Sequence, residues 1–335
     1  MNAITEAWNA LERDPTRNLK TRRIEIPEVA FYDMGVTAGI NADQGRFVLI
    51  SAESLSEYKG HLPQFAGFST ALIDHPTEGG IALEIRLSQF EFNEIFDVLI
   101  QNIVETIGSS VDSRDAAERV LVRLSVWENF LSRVSPSGLS EQQQRGLFGE
   151  LYLLREHLVP GLGPEAAIAS WVGPANAHQD YQFQNYAVET KTTKTLRPQS
   201  ITISSELQLD LGNKEGLFLV HISFDEGQSS GENLNTLIGS LRESLADSKE
   251  LTPFNESLFM AGYIAEHSER YGTLYDLRVL SCFHVRDQFP RIQESDLPNG
   301  VGRVSYSLSL DACAEYETQP DEMLSLIKES STDND

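Results

Sequence analysis

YAVETKTT, residues 186–193, places Glu189 and Lys191 two residues apart in a run otherwise made of apolar and β-branched residues. Such a run favours a strand, and strand side chains alternate between faces. Glu189 and Lys191 therefore share one face, and Val188, Thr190 and Thr192 take the other. Taken alone, the pair also reads as an exposed same-face ion pair, which is worth on the order of 0 to 1 kcal/mol.

The neighbouring segments add to this. DYQF, 180–183, reads as a second strand joined to the first by a tight turn at Gln184 and Asn185. Pairing of the two strands would bring Asp180 within reach of Glu189. One carboxylate from each of two adjacent strands suits a hard cation such as Mg²⁺, which takes one or two carboxylates and fills its other positions with water and phosphate oxygens. A lysine beside them can orient the attacking water and offset charge on the phosphorus.

Upstream, EQQQRGLFGELYLLREHL reads as a helix opened by Ser140 as N-cap, with Gln143 completing a capping box, and stopped by Val159, Pro160 and Gly161. Its apolar stripe is Leu147, Leu151, Leu154 and Leu158. Glu150 falls roughly 60 to 100° from that stripe, at its edge. From there it could reach over the rim of a sheet or lie in solvent. Downstream, Lys194 and Arg197 lie in the hydroxyl-rich TTKTLRPQS, which reads either as phosphate-contacting or as a solvated loop. His178, two residues before Asp180, reads as a phosphate contact or as loop packing.

These residues resemble the PD-(D/E)XK, or restriction-endonuclease-like, superfamily. The resemblance rests on Asp180, then Glu189-Thr190-Lys191 after eight intervening residues, with GLFGELYLL upstream. The wider run W-V-G-P, H-x-D-Y, V-E-T-K-T-T looks like a group of bacterial PD-(D/E)XK motif proteins encoded near restriction-modification or phage-defence genes. That likeness extends to FPRI and VSYSLSL near the C-terminus. Gln179 stands where the motif's name has proline. Gln208 falls near a glutamine of the recombination-type members, but Gly212 stands where those carry tyrosine.

The resemblance implies an α/β (α+β) fold, a mixed sheet flanked by helices. It implies a Mg²⁺-dependent DNA endonuclease in which Mn²⁺ can substitute. Asp180, Glu189 and Glu150 would be the metal ligands, with Lys191 as their catalytic partner. Lys194, Arg197, Gln208 and His178 would be substrate contacts. DNA is the implied partner, with other defence-system proteins beside it, and a homodimer would supply the two sites that double-strand cleavage needs.

The remaining chain reads as a β-rich N-terminal region followed by two helices (1–135), a nuclease-like region (136–325) and an acidic, disordered tail (326–335). SPSGLS, 135–140, marks the first boundary. In the second region GLFLVHISF and YDLRVLSCFHV read as strands, VSYSLSLDAC as another, and NLNTLIGSLRESLA as an amphipathic helix.

The 335 residues carry a formal charge of -24. So acidic a chain repels nucleic acid at long range, so DNA binding would need a local basic patch, a metal or a partner. The charge equally suits a non-catalytic subunit that keeps the nuclease fold and docks a basic partner. No run approaches ~18 apolar residues, so no membrane span is expected. The N-terminus lacks the form of a secretory signal, and a cytoplasmic location follows by default. Two cysteines are too few for a disulfide framework or a Cys-based zinc site. No G-x-x-x-x-G-K-[ST], H-E-x-x-H or G-x-S-x-G occurs, so P-loop, zinc-protease and serine-esterase chemistries lack support.

Overall fold

The computed structural model describes the chain apart from residues 1–2, 14–20, 27–33, 59, 64, 66, 76–79, 132–137, 176, 196–199, 228–229 and 333–335. The chain forms two compact units, Met1–Pro136 and Ser137–Asp335. No helix among the described residues is long and apolar enough to cross a membrane.

The first unit runs α1 (Ala3–Arg13), β1 (Arg22–Glu25), β2 (Met34–Ile40), β3 (Arg46–Ala52), β4 (Phe68–Asp74), β5 (Ile81–Leu87), α2 (Asn93–Gly108) and α3 (Ser113–Leu131). Its strands pair antiparallel in the order β1-β2-β3-β5-β4. One sheet face carries the buried Val48, Ile50, Leu83 and Ile85; α1 packs against β2 and α3 against β3, and Trp8, Phe96, Leu99 and Trp127 of the helices are buried as well. Phe68 of β4 meets Phe96 of α2 with ring centroids 5.4 Å apart. On the opposite face Phe47, Leu49 and Ala82 make a small separate cluster with Ile73.

The second unit carries α4 (Glu141–Leu153), α5 (Val159–Leu162), α6 (Pro164–Ser170), β6 (Tyr181–Gln182), β7 (Tyr186–Thr193), β8 (Ser200–Ile203), β9 (Gly216–Gly227), α7 (Leu234–Ser244), α8 (Leu251–Met260), β10 (Leu274–Val285), β11 (Tyr306–Ser309), β12 (Glu317–Thr318) and α9 (Pro320–Thr332). Its sheet, in the order β12-β10-β9-β7-β6, is mixed: β7 and β9 run parallel and the other neighbours antiparallel. The architecture is the expected α+β fold. β8 and β11 pair separately as a two-stranded ribbon.

Alternation along the strands gives this sheet two different faces. Val188, Phe218, Val220, Ile222 and Phe224 pack against Leu147, Phe148, Leu237, Phe254 and Met323 of the helices. Ala187, Leu217, Leu219, Phe283 and Val285 pack against Ile201, Ile203, Leu209 and Leu308 of the ribbon and its following turn. Glu189 and Lys191 belong by alternation to the ribbon-covered face. α4 lies on the helical face.

The Ser140 side chain caps α4 by accepting the Gln143 backbone N–H, and the Ser140 backbone N–H donates in return to Gln143 Oε1, completing the capping box. The expected stop at Val159, Pro160 and Gly161 is corrected. A wide π turn over Leu154–Leu158 carries the helix into α5, and Gly163 at φ 83° ends it. The longer-range bond of that turn, Val159 N–H to the Leu154 carbonyl, lets the chain pass Pro160, which has no N–H to offer. VSYSLSLDAC is extended only over β11; Leu310–Tyr316 is a 3₁₀ turn with Leu310 and Cys313 buried. The disordered tail expected from 326 is also corrected. Residues up to Thr332 belong to α9, whose Met323 and Ile327, at helical spacing, are buried in the core. Apolar burial outweighs the self-repulsion of this acidic stretch.

Gly149 sets how closely α4 approaches β7. A Cβ there would run into the Thr192 side chain. Gly149→Ala should therefore force the helix off the strand and destabilise this unit by about 1 to 3 kcal/mol, read from urea unfolding.

Candidate active site

β6 is only two residues long, and its register pairs Tyr181 with Val188 and Gln182 with Ala187. Continued by one residue, it sets Asp180 opposite Glu189. The Thr190 backbone N–H, which would otherwise face an unpaired edge, donates to Asp180 Oδ2 at 2.7 Å. The Asp180 carbonyl is held by the backbone N–H groups of Val172 and Gly173, at 3.0 and 2.9 Å. Gly173 leaves the room for this. A Cβ there would lie 3.1 Å from both Asp180 Cα and Oδ1.

On the ribbon-covered face, Lys191 Nζ lies 2.6 Å from Glu189 Oε1. It also donates to Gln208 Oε1 at 3.0 Å, the same oxygen that accepts the Ser204 backbone N–H at 2.8 Å. Gln208 sits in the 3₁₀ turn Glu206–Leu209 directly after β8, so the ribbon supplies the group that holds the ammonium. Glu189 is 1 % exposed, and its Oε2 has no hydrogen-bond partner.

Glu150 comes from α4, on the sheet's other face, and reaches round the rim that the short β6 leaves open. Trp171 Nε1 donates to its Oε2 at 2.8 Å, and the Tyr181 hydroxyl donates to its backbone carbonyl at 2.7 Å. Glu150 is electrostatically linked to Asp180, Glu189 and Lys191.

Three carboxylates and one ammonium thus share a poorly hydrated space. Burial, reinforced by the Asp180 charge and partly offset by the Lys191 ammonium, pushes Glu189 up to about 8. Burial, then Asp180, holds Glu150 well above the usual carboxylate range, against the indole hydrogen bond. Asp180 is raised by burial although Lys191 and the Thr190 N–H pull the other way. Burial works to lower Lys191, but the facing Glu189, with Asp180 and Glu150, prevails and raises it.

If all four groups ionise, two negative charges are left uncompensated. That surplus and the orphaned Glu189 oxygen would suit a divalent cation, and Asp180 and Glu189 are the residues that could hold it. Among the described residues no three His, Cys, Asp or Glu side chains form a ready metal cluster. The expected three-carboxylate set is therefore not preassembled, and the Glu150 Oε2 atom is engaged by Trp171. An open set of one or two carboxylates is what Mg²⁺ ordinarily uses.

The remaining expected residues lie apart from this cluster or serve it differently. Gln208, expected to bind substrate, is committed to Lys191. Lys194 pairs with Glu226 at 3.3 Å, and Arg145 holds the same carboxylate at 2.6 Å. His178 is exposed on the loop before Asp180. Arg197 lies outside the described residues.

Sequence reading missed Trp171, Tyr181 and Gln179. The Gln179 side chain donates to the carbonyls of Leu207 and Asp210, tying the Asp180 loop to the Gln208 turn. It also missed His221, in register with Lys191, fully buried and hydrogen-bonded to Thr193 at 2.9 Å. Trp171, Gln179 and Tyr181 all lie in the quoted W-V-G-P and H-x-D-Y runs, but nothing there signalled the bonds they make to α4 and to the Gln208 turn.

A carboxylate raised in the folded state binds its proton more tightly there than in the unfolded chain. Its contribution is complete below about pH 4.5, the unfolded value, and is lost as pH rises through about 8. In EDTA, thermal stability should fall across that window, and Glu189→Gln should flatten the fall. Mg²⁺ or Mn²⁺ should raise the melting temperature of the parent chain at pH 8 but not that of Asp180→Asn.

No curated protein and no solved structure matches the chain. A family model described as "Putative PD-(D/E)XK family member, (DUF4420)" matches residues 4–311. That span contains both strands of the acidic pair, the lysine and the helix that brings Glu150, and the chain belongs to this PD-(D/E)XK-like family.

Proposed function

We propose that this protein is a divalent-metal-dependent endonuclease that hydrolyses DNA phosphodiester bonds in a bacterial restriction or phage-defence system. The observation that carries the reading is the convergence of Asp180, Glu189 and Lys191 at the open rim beside β6, with a buried Glu189 oxygen left unbonded. A structural ion pair explains the lysine and one glutamate. It does not explain two further carboxylates held at raised pKa beside them.

Asp180 and Glu189 would hold Mg²⁺, or Mn²⁺ in its place. When bound, such an ion polarises a phosphate oxygen and acidifies a coordinated water. Lys191 would orient the attacking water and counter the charge that builds on the phosphoryl oxygens. Its reach is restricted by Gln208, so the ammonium is positioned before substrate arrives. Glu150, held by Trp171, would take up or return a proton at the rim. The water oxygen attacks phosphorus in line, the bond from phosphorus to the 3′ oxygen breaks, and that oxygen is protonated. The products are a 5′-phosphate and a 3′-hydroxyl.

Lys194 and Arg197 would meet backbone phosphates beyond the site, with Lys194 exchanging Glu226 for DNA. Binding should then weaken steeply with salt. A net charge of -24 would restrain indiscriminate DNA binding elsewhere on the surface. A homodimer would cut both strands.

The test is cleavage of duplex DNA by the purified chain with Mg²⁺ or Mn²⁺. EDTA should abolish it, and Lys191→Ala should slow it by about 10²- to 10⁴-fold with its circular dichroism unchanged. Absence of cleavage with either metal, even with the products of neighbouring genes added, would instead favour an acidic, non-catalytic subunit.

A further inference from the structure

The outer sheet face of the first unit holds a pocket that the nuclease reading leaves unused. Its volume is about 370 Å³, within the range of roughly 300 to 1,000 Å³ usual for small-ligand sites. Phe47, Leu49 and Ile73 form an apolar floor, part of the cluster separate from the main core. The Phe47 ring lies directly over Gly39, where any side chain would collide with it. The guanidinium groups of Arg23 and Arg86 stand over the same ring, 5.8 and 6.0 Å from its centroid.

The two arginines are not equivalent. Arg86 is fixed by two bonds to Glu84, at 2.7 and 3.2 Å, so its planar group is neutralised and held in place. Arg23, on β1, is exposed and has no ion-pair partner among the described residues, in a chain with 50 acidic side chains to 26 basic ones. Thr21, Asn41, Ala42 and the acidic Asp43 complete the lining. Asn41 is the fixed polar group among them. Its Oδ1 accepts the Gly45 backbone N–H at 2.7 Å, which fixes the amide and leaves its NH₂ group free to donate.

We infer that this pocket binds a nucleotide: a nucleobase laid on the guanidinium plane of Arg86 above the apolar floor, with its phosphate at Arg23. Every base has a face that stacks on a guanidinium or an aromatic ring. The Asn41 amide donates to a ring nitrogen or carbonyl, and Glu84 accepts from an exocyclic amine. Arg23 supplies an uncommitted charge for the phosphate. A neutral apolar ligand would leave Arg23 unanswered, and an inorganic anion would leave the floor unused. The same chemistry is offered by a free nucleotide and by one nucleotide of a single strand. The inference does not depend on hydrolysis in the second unit.

Calorimetric titration of the full chain in EDTA tests it, using each deoxynucleoside monophosphate, the matching nucleosides and a short single-stranded oligonucleotide. Saturable binding is expected, weakened about tenfold by removal of the phosphate and about tenfold by Arg23→Ala. It should be unchanged by Lys191→Ala, which separates this pocket from the candidate active site. Binding of the mononucleotide identifies a free nucleotide as the ligand. Binding of the oligonucleotide alone identifies a strand. Failure of both to bind, or binding that Arg23→Ala leaves intact, overturns the inference. Arg86→Ala, at a half-exposed position, gives a second check and should weaken binding if the base lies on that plane.

Discussion

The ion pair between Lys191 and Glu189 is the contact on which the second unit's site depends. It lies on a buried sheet face that it shares mainly with apolar side chains such as Ala187, Leu217, Leu219, Phe283 and Val285, where an unpaired charge would be costly. Pairing alone does not satisfy the glutamate, because one of its oxygens remains bare. Nor does the single ammonium balance the two carboxylates beside it. The local structure is therefore arranged around an electrostatic deficit that burial sharpens, and the raised carboxylates express that deficit.

Three parts of the chain that are distant in sequence keep this deficit in place. The loop that closes with the bridge between Trp171 and Tyr181 delivers both Asp180 and the indole that grips Glu150. The ribbon of β8 and β11 covers the face and supplies Gln208 to the lysine. Helix α4 comes close because Gly149 has no side chain, which lets the next residue reach the rim. The shortness of β6 matters as much as any of these. A longer strand would have paired the Thr190 N–H with backbone, leaving Asp180 without its anchor and closing the rim to Glu150. The residues of the candidate site thus stand where regular pairing stops.

Much of the secondary structure was legible locally. The alternation in 186–193, the two helices that follow the N-terminal strands, and the capping pair Ser140 and Gln143 each reflect interactions between near neighbours. The errors were also local in origin. Pro160 and Gly161 look like a helix stop until a π turn supplies the longer-range bond that carries the chain past the proline. The acidic C-terminal stretch looks solvated until Met323 and Ile327 find a core to enter.

The order of residues alone implies that Glu189 and Lys191 share a strand face, that Asp180 lies one turn away, and that Glu150 sits at the edge of an apolar stripe. These follow from the repeat geometry of strand and helix, which is a property of the backbone. Folding in three dimensions is what buries this face, brings Gln208 to the lysine and Trp171 to Glu150, and draws Lys194 to Glu226. Each depends on which distant segment comes to rest against the strand, and therefore on packing across the whole unit, to which no local periodicity gives access.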